Sequence, residues 1–459
     1  MKPTYSIKTL GCKLNQYESS LIAQQFSDCG WEARPFGQIV DVVIVNTCTV
    51  TDRSDKKCRN YIRQAAKFSK TGKAVVTGCL VERDRRGVAL MPEVLAVFGN
   101  DDKRSMVSKL RAYMDYVAES ADEAEDAEDM DDKDFGDAVS AGFAAYDDDE
   151  AGFFGGYAMP LNHTRGYLKI QDGCDGQCAY CIVPSVRGAP VSRDVNDVVE
   201  HAARLIAAGI PELILTGITI GKYMSRDVDL AGLAGRIAGL DGGFRLRITS
   251  IEPLHVTDGL IALFGSGRVC PHIHLPLQSG SDRVLERMNR PYRMDEYFRI
   301  VERLRNRCPD IAIGTDVIVG FPGEGDDDFR ETLWAVERAG FAYVHQFSFS
   351  TRTGTPAAAL NGMCSERELS RRSAELRAVA AGASLRYRQR FEGKILPCVI
   401  EKNRGDERYT AVSGNYLKIR LAESPLNKEM MGGITGVRVL NAGREGVEGT
   451  IAGNDVFCD

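Results

Sequence analysis

The sequence predicts an α/β protein in three folded parts: an N-terminal open parallel α/β domain, a central partial (βα)6 barrel and a small C-terminal antiparallel β-barrel. Three observations carry this. Strand-like and helix-like segments alternate from residue 5 to about residue 100 and again from 166 to 349, and such alternation implies parallel sheets. A strongly acidic run separates the two series. Residues 392–453 instead hold short strand-like segments divided by Gly and charged turns, the pattern of a small barrel. A length of 459 residues fits this partition, at ~150 residues per domain. With 44% hydrophobic and 27% charged residues, the composition excludes disordered, collagenous and membrane classes for the chain as a whole. Apolar stretches such as 42–45 are far too short to span a bilayer. The opening residues contain no apolar signal region, so a cytoplasmic location is expected. Thirteen cysteines in such a chain favour metal or redox chemistry over a disulfide framework.

Taken in order, residues 5–11 (YSIKTLG) alternate as a strand, and 18–30 (ESSLIAQQFSDCG) form an amphipathic helix closed by Gly30. Residues 41–48 (DVVIVNTC) are a buried strand, followed by a helix opening near Ser54. Residues 73–79 (KAVVTGC) are a third strand and 96–100 (AVFGN) a fourth. Cys12, Cys48 and Cys79 therefore stand at the carboxyl ends of three different strands, the edge of an open parallel sheet where ligands bind. Three thiols far apart in sequence would converge there, as a metal or cluster site requires. Free cysteines also pack as small hydrophobes, which is the reading given to Cys29 and Cys58 inside helices. Three equivalent placements beside Gly or Thr are harder to attribute to packing.

Residues 1–114 form this first domain, and residues 115–155 a linker. Residues 115–150 hold sixteen acids and one base, and the rest of the chain carries 57 bases against 48 acids. So crowded a run cannot build a core and reads as extended or disordered. The remaining positive excess permits nucleic-acid binding without diagnosing it.

The second folded part spans 156–390. Its first strand (GYLKIQDGC) ends at Cys174, and Cys174, Cys178 and Cys181 follow in a C-x₃-C-x₂-C arrangement. Structural zinc needs a fourth protein ligand that is missing nearby, and a thioredoxin-type pair would leave Cys174 without a role. Three thiolates on a four-iron cluster leave one iron open to a substrate. Five more strands follow: 212–217, 245–250, 272–277, 311–320 and 343–349. Active sites of such barrels lie at the carboxyl ends of the strands, where Cys174, Gly217, Ser250, Gln278 and Gly320 stand. His272 and His274 alternate in one strand, so at most one is expected to face the site. A hydrogen-bonded structural role is the better reading of either.

The C-x₃-C-x₂-C loop, with Tyr180 before its last cysteine, resembles the radical S-adenosylmethionine superfamily. TLGCKLNQYES, NTCTVT and TGC narrow the resemblance to the methylthiotransferases. GCKLNQYES is most similar to the MtaB type, which acts on N6-threonylcarbamoyladenosine at position 37 of transfer RNA. HIHLPLQSGSDRVLERMNR and GTDVIVGFPGE also match that family, and only the acidic linker departs from it. The resemblance implies two [4Fe–4S] clusters. Cys174, Cys178 and Cys181 would hold the one that binds and cleaves S-adenosylmethionine; Cys12, Cys48 and Cys79 would hold an auxiliary cluster presenting the sulfur. One S-adenosylmethionine would donate the methyl group and another the radical. It also implies an anticodon-loop substrate, a flavodoxin- or ferredoxin-like electron donor and a sulfur donor. Cofactor contacts are expected from Tyr180, Thr216, Gly217, Val319 and Gly320, with Ser250, Glu252 and Gln278 reaching ribose or substrate. Alternative targets are isopentenyladenosine in transfer RNA or a ribosomal-protein aspartate. The rival of a different class is a non-catalytic RNA-binding iron–sulfur sensor.

A basic helix with seven Arg against three Glu precedes the third part, 391–454, which resembles the TRAM domain, an oligonucleotide-binding-like barrel. With nine bases against eight acids over 392–453, its RNA role rests on that resemblance. Tyr409 and Tyr416 are candidates for base stacking, with core packing the favoured role. Cys398 and Cys458 lack partners at cluster spacing.

Overall fold

The computed structural model describes residues 2–112, 156–160, 164–402, 408–422 and 432–453. The acidic linker and Cys458 lie outside the described residues. The chain divides into two compact units, Met1–Leu161 with Ser185–Arg187, and Asn162–Pro184 with Gly188–Asp459.

In the first unit, five parallel strands lie in the order Glu32–Ala33, Thr4–Thr9, Val42–Thr47, Ala74–Gly78, Val94–Phe98. The central strand is buried along its whole length because both faces are covered. Val42 and Ile44 pack with Tyr5, Ile22 and Phe26 on one side, while Val43 and Val45 pack with Ile62, Val76 and Leu80 on the other. This two-residue period is the reason a parallel strand reads as a continuous apolar run. The helix Lys13–Asp28 ends at Cys29 and Gly30, whose φ of +79° suits glycine. The helix Asp52–Ala66 starts two residues before the expected Ser54, because Thr51 caps it by accepting the Ser54 N–H at 3.1 Å. The last strand is Val94–Phe98 rather than 96–100.

In the second unit, six parallel strands run Gly166–Lys169, Glu212–Thr216, Arg245–Ile248, His272–His274, Ala312–Val319 and Tyr343–Ser348. Each of the two groups of three is hydrogen-bonded. Parallel bridges Leu246↔Val269 and Ser250↔His274 join the groups into one curved wall. Among the described residues no pairing links the sixth strand back to the first, so the barrel is open there. His272 and His274 both face the lumen, which corrects the expectation that at most one does. Residues two apart in a strand share a face. Both rings make side-chain hydrogen bonds, His272 to Tyr343 Oη at 2.8 Å and His274 to Ser250 and Asp316.

The C-terminal strands close a five-stranded barrel in the order Ile395–Lys402, Tyr409–Ser413, Lys418–Leu421, Gly446–Gly453, Ile434–Gly443. Four pairings are antiparallel, but Lys418–Leu421 and Gly446–Gly453 run parallel. A closed ring with an odd number of strands cannot alternate direction throughout, so one parallel pair is forced. The result is the five-stranded topology of oligonucleotide-binding-like barrels. Its apolar interior (Cys398, Ile400, Ile419, Val437) is continuous with Ala312 and Ala342 of the open barrel. Glu212 adds a polar joint. It is fully buried and paired with Arg245 and Arg247, whose guanidiniums also donate to the carbonyls of Pro397, Val412, Ser413 and Gly414. The basic helix Glu366–Gln389 is not simply solvated: buried Arg372 pairs with Glu324, Asp326 and Glu368.

Candidate active site

The loop of Cys174, Cys178 and Cys181 leaves the first strand of the open barrel through Gly173. Its φ is +74°, and any side chain there would lie 1.9 Å from the Ala189 carbonyl oxygen. The loop is held from outside: Cys174 N–H donates to Gly188 O at 3.0 Å, Ala179 N–H to Met288 O at 2.9 Å, and Asn289 Nδ2 to Gln177 O at 2.8 Å. A Cβ built on Gly176 would stand 3.1 Å from Cys174 Sγ and 3.9 Å from Cys178 Sγ, so both sulfurs border one small space. All three cysteines are unpaired and half-buried. Burial pushes the Cys181 thiol up to about 12, so its thiolate needs compensation. The donors for it are present. Gly176 N–H donates to Cys174 Sγ at 3.2 Å, Val183 N–H to Cys181 Sγ at 3.4 Å and an Arg290 guanidinium nitrogen to Cys178 Sγ at 3.1 Å. Three thiols with N–H donors on each sulfur fit a three-thiolate cluster.

The other expected residues divide. Gly217 adjoins the loop: a Cβ there would lie 2.6 Å from Gln171 O. The Gln171 side chain binds the two segments, accepting from Ile218 and Thr219 N–H and donating to Asp172 O and Gly173 O. Thr216 is buried, and its carbonyl accepts from Ile170 N–H. Glu252 pairs with Arg290 and through it reaches Cys178. Tyr180 packs edge-on to Phe321 at 6.4 Å beside Val284 and Met288. The fourth strand is His272–His274 rather than 272–277, and Gln278, four residues beyond it, adopts φ +62° and exchanges backbone bonds with Asp316 and Ile318. Val319 is buried, and Gly320 donates its N–H to Glu324 Oε2 at 2.7 Å. Ser250 bonds His274 Nδ1 at 2.8 Å, deeper in the lumen. Sequence reasoning missed Gln171 and Arg290. Arg290 ends the MNR triplet of a motif already singled out, which was the available signal.

In the first unit, Cys12 caps the helix Lys13–Asp28, Cys48 follows the strand Val42–Thr47, and Cys79 opens the helix Cys79–Ala89. Glycines permit the approach of these ends. Gly11 has φ +99°, and a Cβ there would lie 3.0 Å from Cys48 Sγ; Gly78 has φ +102° and would meet Thr47 O at 2.5 Å. Cys79 and Cys12 both act electrostatically on Cys48, whose thiol is pushed up to about 11, chiefly by burial. Asn15 Nδ2 ties Leu10 O and Thr47 O together at 2.7 and 2.9 Å. Arg187 donates from Nε to Cys79 Sγ at 3.3 Å and from another nitrogen to Asn15 Oδ1 at 2.8 Å, and it pairs with Glu18, which also holds Lys103. The arrangement repeats that of the second unit: three unpaired cysteines and one guanidinium on a sulfur. Cys58 is buried beneath them, its Sγ donating to Cys48 O at 3.2 Å, which fits its expected packing role.

The profile of the Radical SAM superfamily matches residues 168–334, and that of uncharacterized protein family UPF0004 matches residues 4–99. The chain is 34% identical over 450 residues to the threonylcarbamoyladenosine tRNA methylthiotransferase MtaB of Bacillus subtilis, covering 96% of this chain and 94% of that one. It is 35% identical to the protein of the same name from Thermotoga maritima over 85% of each chain. It is 32% identical to a tRNA-2-methylthio-N(6)-dimethylallyladenosine synthase of Mycobacteroides abscessus, covering 88% of this chain and 78% of that one. Among solved structures, the radical S-adenosylmethionine methyltransferase TsrM of Kitasatospora setae superposes with a TM-score of 0.51 at 14% identity, covering 78% of this chain and 74% of that chain, a likeness of fold alone. Among the described residues no helix is long and apolar enough to cross a membrane.

Proposed function

We propose, from the premise that this chain belongs to the MtaB-type family of radical S-adenosylmethionine tRNA methylthiotransferases, that it places a methylthio group on C2 of N6-threonylcarbamoyladenosine at position 37 of transfer RNA. The observation that carries the reading is the presence of two separate sets of three unpaired cysteines, each with a guanidinium on one sulfur. The family implies S-adenosylmethionine and a [4Fe–4S] cluster, which Cys174, Cys178 and Cys181 would hold. Cys12, Cys48 and Cys79 would hold a second. When bound, these groups supply reductive cleavage of the sulfonium, hydrogen abstraction and the inserted sulfur. The protein's own task is placement. Gly173 and Gly176 let the loop wrap closely, Gln171 fixes the turn at Gly217, and Arg290 and Arg187 compensate thiolate charge.

Thr216, Gly217, Val319 and Gly320 are assigned to the cofactor, with Tyr180 packed behind the loop. Glu252 and Gln278 face the cofactor ribose or the substrate base. The C-terminal barrel, 391–454, is assigned to holding the RNA, as its topology suits. An electron donor of the flavodoxin or ferredoxin class and a sulfide source complete the chemistry, and a transfer-RNA substrate places the protein in the cytoplasm. Iron and sulfide analysis of anaerobically reconstituted protein tests the core of the reading. About eight irons are expected in the parent, and about four in each triple Cys→Ala variant. About four irons, lost only with Cys174, Cys178 and Cys181, would leave no sulfur-carrying site and overturn it.

A further inference from the structure

Inside the open barrel, strand register sets side chains in layers. Gly314, Asp316 and Ile318 pair with Tyr343, His345 and Phe347, so these six share the lumen face with His272 and His274. The floor is aromatic. Tyr416 of the C-terminal barrel lies 4.6 Å from the His272 ring and 5.8 Å from Tyr343, and Tyr343 crosses the space that a side chain at Gly314 would fill. Nearer the mouth the wall is apolar, Ile318 beside Phe347. On this wall a polar layer lies between them. Ser250 Oγ is 2.8 Å from His274 Nδ1, His274 Nε2 is 3.0 Å from Asp316 Oδ1, and that same oxygen is 3.2 Å from His345 Nδ1.

The direction of these bonds follows from chemistry. Burial alone would raise the Asp316 carboxyl, but the bonds from both imidazoles outweigh it and bring it to about 2. It is therefore ionised at neutral pH and can only accept. His274 must carry its proton on Nε2 and His345 on Nδ1. In the neutral ring His274 Nδ1 then accepts from the Ser250 hydroxyl. The His345 side chain is 58% exposed. In the neutral ring the nitrogen on its other edge, Nε2, is an acceptor, with the tautomer fixed by the Nδ1 bond to Asp316. Asp316 lies three residues, about 10 Å, below the strand end at Val319, so a base bound at the mouth would reach this layer only through an extended substituent.

We propose that His345 reads the N6 substituent of the substrate base by accepting a hydrogen bond from its ureido N–H or hydroxyl, with Asp316, His274 and Ser250 as positioning residues. The inference rests on the function proposed above and names the part of the substrate that this layer takes. A dimethylallyl group has no donor, and burying one here would leave His345 Nε2 unpaired, which is how polar sites reject apolar analogues. The three ligand atoms of His274, Asp316 and His345 also lie within 4.8 Å of one another, so a metal ion is the rival occupant.

The test uses reconstituted holoenzyme and anticodon stem-loops bearing threonylcarbamoyladenosine or dimethylallyladenosine. Wild type is expected to prefer the former. His345→Leu should lose about ten- to a hundredfold in kcat/KM toward it, mostly through KM and with matching loss in equilibrium binding. His345→Gln, whose side-chain oxygen accepts the same bond, should keep most of it, which separates recognition from misfolding. An unchanged KM and unchanged preference in His345→Leu, at wild-type iron content, would overturn the inference while leaving the proposed function standing. Wild type inactive on the threonylcarbamoyl stem-loop would overturn both. One equivalent of zinc in wild type that disappears in His345→Leu would assign the layer to an ion and overturn the inference.

Discussion

Arg290 and Arg187 each put a guanidinium on one sulfur of a three-cysteine set, at 3.1 and 3.3 Å. The cysteines themselves were legible in the sequence because spacing and strand ends reveal them. The arginines were not, because they arrive from 112 and 108 residues away along the chain. Only folding brings them there. Arg290 is further fixed by Glu252 and by the face of Tyr292, 5.1 Å from its guanidinium carbon. A buried cation so restrained compensates thiolate charge whether or not it moves during turnover. Arg290→Ala is therefore expected to fold but to hold the proposed cluster about ten- to a hundredfold less tightly. Arg290→Lys should recover only part, since an ammonium cannot serve Cys178 and Glu252 in the same fork. Iron retained after a timed chelator challenge measures both. Equal retention in all three proteins would show that Arg290 does not support the loop.

At the scale of elements, the strand Glu212–Thr216 begins with a residue that no local pattern explains. Its hydrophobic run 213–215 makes the strand visible, but the partners of the carboxylate at its head are not local in sequence. Its partners lie on other strands. Arg245 and Arg247 are 33 and 35 residues away, and both continue to carbonyls of the C-terminal barrel. The same non-locality hid the parallel pair of that barrel, which ring closure imposes rather than any segment. It also explains the histidines: strand periodicity puts His272 and His274 on one face, and only the assembled wall supplies Ser250, Asp316 and Tyr343 as partners. Burial alone would raise the Glu212 carboxyl, but the Arg247 and Arg245 guanidiniums outweigh it and hold it well below the usual carboxylate range. Glu212→Gln leaves two buried guanidiniums undercompensated and should cost about 3–5 kcal/mol. The sign of the pH dependence follows. A depressed carboxyl contributes in full above its unfolded value of about 4.3, and the contribution fades as pH falls toward the folded value. The stability gap between wild type and Glu212→Gln should thus be widest near pH 6 and narrow steadily by pH 3, as read by denaturant unfolding. A gap independent of pH would mean that Glu212 acts through shape rather than charge.

For the whole molecule the decisive quantity is where charge sits. The formal net charge of −6 would repel RNA, yet it is the sum of a −15 segment at 115–150 and a remainder of +9. A polyanionic run attached to a basic protein has two physical fates. It can stay solvated, since its sixteen acids repel one another. Alternatively it can lie on a basic surface and compete with the phosphate backbone. The second costs chain entropy, and salt near physiological strength screens it over about 8 Å. The first is expected. Deleting residues 119–137 removes eleven acids and one base. With saturating RNA, turnover should be unchanged, because no cysteine, histidine or arginine of the proposed chemistry is touched. RNA affinity should fall with salt along the same slope as in the full chain, since that slope counts phosphates neutralised and not charges elsewhere. A large loss of turnover would refute the solvated-linker reading. Tighter binding confined to low salt, with a steeper slope, would show that the segment competes with RNA for a basic face.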